Sequence, residues 1–312
     1  MASLSTDVFR PLILRLAHHP WFRRLAIRTR PGRAVASRFV AGETLDEAMA
    51  AAKHLDGHRI AAMLDHLGEN VRSLEQAGEA ANQYIRALDR IAAEPSMDCA
   101  ISIKLTQLGR DLSRELCLHH VGRILEAAET SRSFVMIDME SHGYVDPTLG
   151  VFRAAYREYP RVGVCLQSYL RRTERDLFAL PAGSRIRLVK GAYLEEPDVV
   201  FQTKREVDDG YAQLFATLWS RGHAIDVATH DPKLIEGVKK IAENEPNGWS
   251  RVEFQMLYGI RRDLQNRLAG EGHPVRVYVP YGTEWYPYLT RRLAERPANM
   301  WFFLSNLVRS TR

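Results

Sequence analysis

From Arg59 onward the chain repeats one pattern: a short apolar run, a polar break, then a longer stretch with helical spacing. The apolar runs lie at residues 60–67, 99–105, 134–139, 162–167, 185–190, 224–228, 252–257 and 275–279. Each is dense in Val, Ile and Leu and lacks clean alternation with polar residues, the signature of parallel strands covered on both faces. Helical stretches begin near Val71, Leu112, Pro147, Arg171, Val199, Pro232, Arg262 and Glu284, some after a break followed by proline, as in His230-Asp231-Pro232. Eight β-then-α units predict a (β/α)8 TIM-type barrel. A doubly wound open sheet is the competing arrangement, but no apolar run is followed by GxGxxG.

Residues 1–58 read as an N-terminal helical extension and 59–312 as the barrel. Residues 8–39 are rich in arginine with interleaved Phe, Leu, Ile and Trp, broken at His19-Pro20 and Arg30-Pro31-Gly32. Short amphipathic helices packed on the main domain fit this pattern, and peripheral attachment to anionic lipid is the minority reading. Thr44-Leu45-Asp46-Glu47 has the form of an N-cap with an acidic first turn, opening an alanine-rich helix to about Leu55. A net charge of +5 is too mild to select nucleic acid, which is not an expected partner. The three cysteines, Cys99, Cys117 and Cys165, have no metal or disulfide spacing and indicate a reduced compartment. No apolar run approaches the roughly 18 residues of a membrane span, and no signal-peptide pattern opens the chain. The expected location is the cytoplasm, with contact at the inner face of the membrane as the alternative.

In such a barrel the chemistry sits where strands end at their C-terminal side, and those ends are polar in every unit. They carry Glu69; Ser102, Lys104 and Thr106; Asp138-Met139-Glu140; Gln167; Arg187 and Lys190 running into Gly191-Ala192-Tyr193; Thr229-His230; Gln255 to Tyr258; and Tyr278. Singly, most have bland explanations: Asp138 pairs with Lys104 or Arg187, and His230 caps the next helix. The last helical stretch adds Tyr288, Arg291, Arg292 and Glu295 at i, i+3, i+4 and i+7, one face of a helix. Two neighbouring guanidinium groups beside a tyrosine suit a small carboxylate; a solvated basic face is the alternative.

The motifs RLVKGAY at 187–193 and YLTRRLAE at 288–295 together resemble the proline dehydrogenase family. SIKLT around Lys104, IDME around Asp138, LQSY at Gln167, ATH at His230, FQMLYG around Leu257 and VYVPYG around Tyr278 follow in the family's order. The resemblance runs from about residue 64 to residue 299, and the short length resembles the monofunctional bacterial branch. It implies FAD-dependent oxidation of L-proline to Δ1-pyrroline-5-carboxylate, with a quinone as electron acceptor. By resemblance, Arg291, Arg292 and Lys104 bind the substrate carboxylate, and Tyr193, Leu257, Tyr278 and Tyr288 wall in its ring. Asp138, Met139, Gln167, Arg187, Lys190, Gly191, Ala192, Thr229 and His230 match positions around the flavin, with Asp138 and Arg187 nearest the chemistry. Glu69 matches an acid that pairs with the first arginine, and Glu295 is read as a brace for the pair.

The chemistry of the residues agrees with this assignment. A small zwitterion with a saturated ring needs cations at one end and apolar or aromatic surface at the other. No GxGxxG cradle exists for the cofactor's pyrophosphate, so the Lys190-Gly191-Ala192 corner and the helix N-terminus after Thr229-His230 are expected to hold it. Two other readings compete. One is a flavin-free lyase or aldolase using Lys104 or Lys190 as a Schiff-base amine. The other is a binding protein docking through its arginine-rich N-terminus.

Overall fold

The computed structural model describes residues 36–295. Eight strands, hydrogen-bonded in sequence order, form a closed parallel barrel: β1 Ala61–His66, β2 Cys99–Ile103, β3 Val135–Ile137, β4 Val162–Gln167, β5 Arg185–Val189, β6 Ala224–Ala228, β7 Val252–Leu257 and β8 Val275–Tyr281. The helices are α1 Leu45–Asp56, α2 Leu74–Ala92, α3 Arg114–Ser131, α4 Val145–Glu158, α5 Thr173–Phe178, α6 Lys204–Ser220, α7 Pro232–Glu243, α8 Arg262–Gly270 and α9 Trp285–Glu295. The predicted (β/α)8 architecture is therefore the observed one.

Helix starts follow side-chain chemistry. Thr44 caps α1 in a full capping box with Glu47, and Thr203 does the same for α6 with Glu206. Ser73, Ser113 and Asp231 cap α2, α3 and α7, with Pro232 in the first turn of α7. Helix α6 starts at Lys204 rather than near Val199. The preceding segment instead makes an antiparallel bridge, Leu170 to Val200, beyond the C-terminal ends of β4 and β5. Strand β3 is shorter than its apolar run. The carbonyls of Met139 and Glu140 accept from the Gln167 side chain, so this segment leaves the ladder where the site begins.

The barrel interior is layered. At its base Arg185 pairs with Asp226 (2.8 Å) and Glu253 (2.9 Å), and Arg276 pairs with Glu253 (2.8 Å) and Asp98 (3.0 Å). Both guanidinium groups lie over the Phe134 ring, 4.0 and 4.9 Å from its centroid. Above them Met63, Ala100, Phe134 and Met136 form a small apolar plug. The polar groups at the top are thus sealed from below. Outside the barrel, Ala48, Met49, Ala52 and Leu55 of α1 share the main core with the strands.

A second apolar cluster sits at the mouth. Ala36, Phe39 and Val40 pack with Leu67, Ile260, Trp285, Tyr286, Tyr288 and Leu289, and Leu257 and Tyr278 lie against it. Backbone bonds fasten this segment: Ala41 N–H donates to the Pro280 carbonyl and Gly282 N–H to the Gly42 carbonyl. The carbonyl of Arg38 crosses directly over Gly259, where a Cβ would stand 1.6 Å from that oxygen and φ is +73°. Any side chain there forces the segment off the barrel and also strains the backbone. Gly259→Ala should therefore destabilise the fold by about 2 kcal/mol or more, read as a lowered midpoint in denaturant unfolding.

Candidate active site

One buried carboxylate organises the mouth. Asp138, just past β3, accepts from Arg187 (2.6 Å), Lys104 (3.0 Å), Ser102 (2.6 Å) and the Tyr278 hydroxyl (2.8 Å). Arg187 on β5 also donates to Ser102 on β2 (3.1 Å) and to Gln255 on β7 (2.7 Å). Neither β2 nor β7 neighbours β5 in the barrel, so both contacts cross the interior. Burial opposes ionisation of Asp138, yet Lys104 and Arg187 outweigh it and hold the carboxyl down at about 2.

Lys104 is bonded on three sides. Its ammonium reaches Asp65 (2.6 Å), Asp138 (3.0 Å) and the Tyr278 hydroxyl (3.1 Å), and an ammonium has three N–H donors. Burial alone would lower the Lys104 pKa; Asp65, Tyr278 and Asp138 reverse that and raise it well above 10.5. Such a group is a fixed cation and a poor nucleophile, which removes the support for a Schiff-base amine here. Lys190, the other lysine of that reading, is held by Asp208 (2.5 Å) and Asp231 (2.9 Å). Asp65 is a site residue the motif reading passed over. Its sequence signal was an acid inside an apolar strand, where a buried charge needs a cation.

Helix α9 closes one side. Arg291 pairs with Glu69 through both terminal nitrogens, at 2.5 and 3.2 Å, and lies 5.5 Å above the Tyr193 ring. Arg292 lies 5.3 Å from the Tyr288 ring centroid. The arginines are adjacent in sequence but meet different neighbours. Glu295 ends α9, and its side chain lies outside the described residues, as does most of the 8–39 stretch. Leu257 and Tyr278 are half-buried against the cluster that contains Tyr288.

Opposite α9 lie the expected flavin positions. The Gln167 amide donates to the carbonyls of Met139 (3.3 Å) and Glu140 (3.2 Å), which fixes its orientation and leaves Oε1 buried with no partner. Gly191, at φ +121°, lies under the Tyr169 ring, 2.2 Å from where a Cβ would sit. Only glycine lets the Lys190-Gly191-Ala192 backbone run this close to the ring. His230 accepts the Leu257 N–H at Nε2 (3.1 Å), so its ring proton is on Nδ1; the cap of α7 is Asp231, not His230. Asp231 also pairs with Lys190 and Lys204 (3.1 Å), and Thr229 accepts its backbone N–H (3.1 Å). The start of α7 is thus already filled by a carboxylate.

Residues 48–304 match the proline dehydrogenase family profile. The chain belongs to the proline dehydrogenase family. It is 39% identical over 309 residues to proline dehydrogenase of Deinococcus radiodurans, covering 97% of this chain and 99% of that one. Against proline dehydrogenase 1 of Bacillus subtilis it is 40% identical over 275 residues, 88% of this chain and 91% of the relative. Among solved structures it resembles proline utilization A from Bdellovibrio bacteriovorus inactivated by N-propargylglycine. That TM-score is 0.78 with 25% identity, covering 85% of this chain and 33% of that one.

Two variants test the electrostatics. Asp138→Asn strips Lys104 and Arg187 of a shared counter-charge and should cost roughly 3–5 kcal/mol of stability, measured by denaturant unfolding at neutral pH. Glu140, buried with its carboxylate on the Thr106 N–H (3.1 Å) and hydroxyl (2.5 Å), is pushed by burial from 4.5 up to about 7. The folded chain keeps a proton that the unfolded chain gives up, so this residue's contribution falls as pH rises from 4.5 to about 7. Glu140→Gln should be the more stable protein above that window, by up to about 3 kcal/mol, with the gap closing toward pH 4.5.

Proposed function

We propose that this chain oxidises L-proline to (S)-1-pyrroline-5-carboxylate with FAD, and that a quinone takes the electrons onward. The observation that carries the reading is the Asp138-centred cluster of Lys104, Arg187 and Tyr278 beneath the Arg291–Glu69 pair. It joins fixed cations to aromatic walls in one mouth, in a chain of this family. The residues also fit a flavin. Gln167 offers a buried acceptor suited to an imide N–H, Arg187 a buried cation, and Gly191-Ala192 a close-running backbone. When bound, FAD supplies the hydride acceptor.

The residues divide the rest of the work. Arg291, Arg292 and Lys104 hold the proline carboxylate, and Tyr193, Leu257, Tyr278 and Tyr288 enclose the ring, so that transfer becomes a matter of positioning. For Lys104 to meet the carboxylate it must exchange one of its three partners. The neutral Tyr278 hydroxyl, at 3.1 Å, is the one whose release leaves no carboxylate uncompensated. The cationic pocket favours loss of the substrate's ammonium proton, which frees the lone pair that expels hydride. Arg187, tied by Asp138, Ser102 and Gln255, is a preorganised positive charge on the flavin side and needs no rearrangement as charge develops. Met139, Lys190, Thr229 and His230 complete the cofactor's surroundings. Asp138 acts by ordering Lys104 and Arg187.

The proposed location is the cytoplasm, with peripheral contact at the membrane's inner face through the arginine-rich N-terminus. No helix of the described residues is long and apolar enough to cross a membrane. Adding L-proline anaerobically to the purified, FAD-loaded protein should bleach the flavin absorption, and a spectrum unmoved by proline would refute the reading. Arg291→Met should raise KM for proline roughly tenfold or more while flavin content stays unchanged, because a charge-assisted bond to the carboxylate is lost.

A further inference from the structure

Glu140 lies between the two halves of this site, and neither half accounts for its side chain. Its carbonyl accepts from Gln167 on the flavin side. Its carboxylate turns the other way, to the Thr106 N–H and hydroxyl. The Thr106 oxygen in turn accepts the Asn70 N–H (3.3 Å). Asn70 has φ +54°, a left-handed turn that needs an anchor, and it directly follows Glu69, the partner of Arg291. A continuous path of hydrogen bonds therefore runs from Glu140 through Thr106 and the Glu69–Asn70 peptide to helix α9.

We propose that Glu140 is a positioning residue for substrate binding: through Thr106 and Asn70 it sets the arm on which Glu69 orders Arg291. As an anion, Glu140 accepts a hydrogen bond from the Thr106 hydroxyl, which aims the remaining Thr106 lone pairs at the Asn70 N–H and strengthens that bond. Once protonated, it competes as a donor for the same oxygen, and the hydroxyl proton must turn elsewhere. The arm then loosens, and Arg291 loses preorganisation.

The surroundings place this exchange in a useful range. Burial lifts the Glu140 carboxyl to about 7, against the Thr106 bonds and the charge of Lys104, and the Glu69 carboxylate adds to the rise. Cys117 on α3, Tyr144 before α4 and Tyr193 after β5 also feel its charge. No lysine or arginine is paired with Glu140 among the described residues.

This inference rests on the proline-oxidising reading, and the test separates the two. FAD-loaded protein is titrated calorimetrically with tetrahydrofuran-2-carboxylate, a ring carboxylate with no amine to ionise, at pH values on both sides of about 7. Parent affinity should strengthen about fivefold as pH rises through that value, the worth of one net hydrogen bond. Glu140→Gln and Thr106→Val should both bind at the weaker level with no step in pH, and should raise KM for proline with kcat held. A parent that binds without the step, or variants that keep it, would overturn the role of Glu140 alone. A parent that neither binds the ring carboxylate nor bleaches with proline overturns the functional reading and this inference with it.

Discussion

The site depends on the way Asp138 is shared between Lys104 and Arg187. Two cations and two acids, Lys104, Arg187, Asp65 and Asp138, are packed into a space nearly closed to water. Removing charges from water costs several kcal/mol for each ion, so such a group persists only if every member is paired in good geometry. The barrel supplies that geometry by delivering each residue from a different strand end to one point. In return the cluster leaves Arg187 and Lys104 charged and fixed before any ligand arrives. That is the condition under which a buried charge acts on a reaction without first reorganising.

Apolar and ionic layers flank that mouth on both sides. Below it, the apolar plug and the ionic base around Arg276 seal the interior. Above it, the segment from Ala36 to Val40 packs on α9 and reaches the same cluster as Leu257 and Tyr278. Residues 36–40 are thus structurally continuous with the wall of the pocket. Their contribution is through packing, since among the described residues the charged groups of the site come from strand ends and α9.

Much of this was legible in the residues. Strands β4, β6 and β7 have the bounds of their apolar runs, because each run is flanked by polar or turn residues. The Thr44–Glu47 capping box opens α1 where the pattern placed it. The polar strand ends do collect at one mouth, since a closed parallel barrel leaves them no other place. Asp65 was less visible. It lies inside an apolar run, and its partner Lys104 is far along the chain. Nor could the motif around His230 show that the acid capping α7 would also take up Lys190. Such competition between partners is settled by distance, and distances are not written in a linear pattern.

What the sequence determined by itself was the architecture and the family's set of chemical groups. Eight buried-strand patterns admit few closed solutions, and the order of RLVKGAY before YLTRRLAE limits the chemistry further. Only the tertiary structure decided how those groups are engaged. Lys104 is fully bonded rather than free to react, and Glu140 is joined by Thr106 to the arm that carries Glu69. The reason is physical: residue type sets what a side chain can donate or accept, but its state depends on which partners burial brings within about 3 Å.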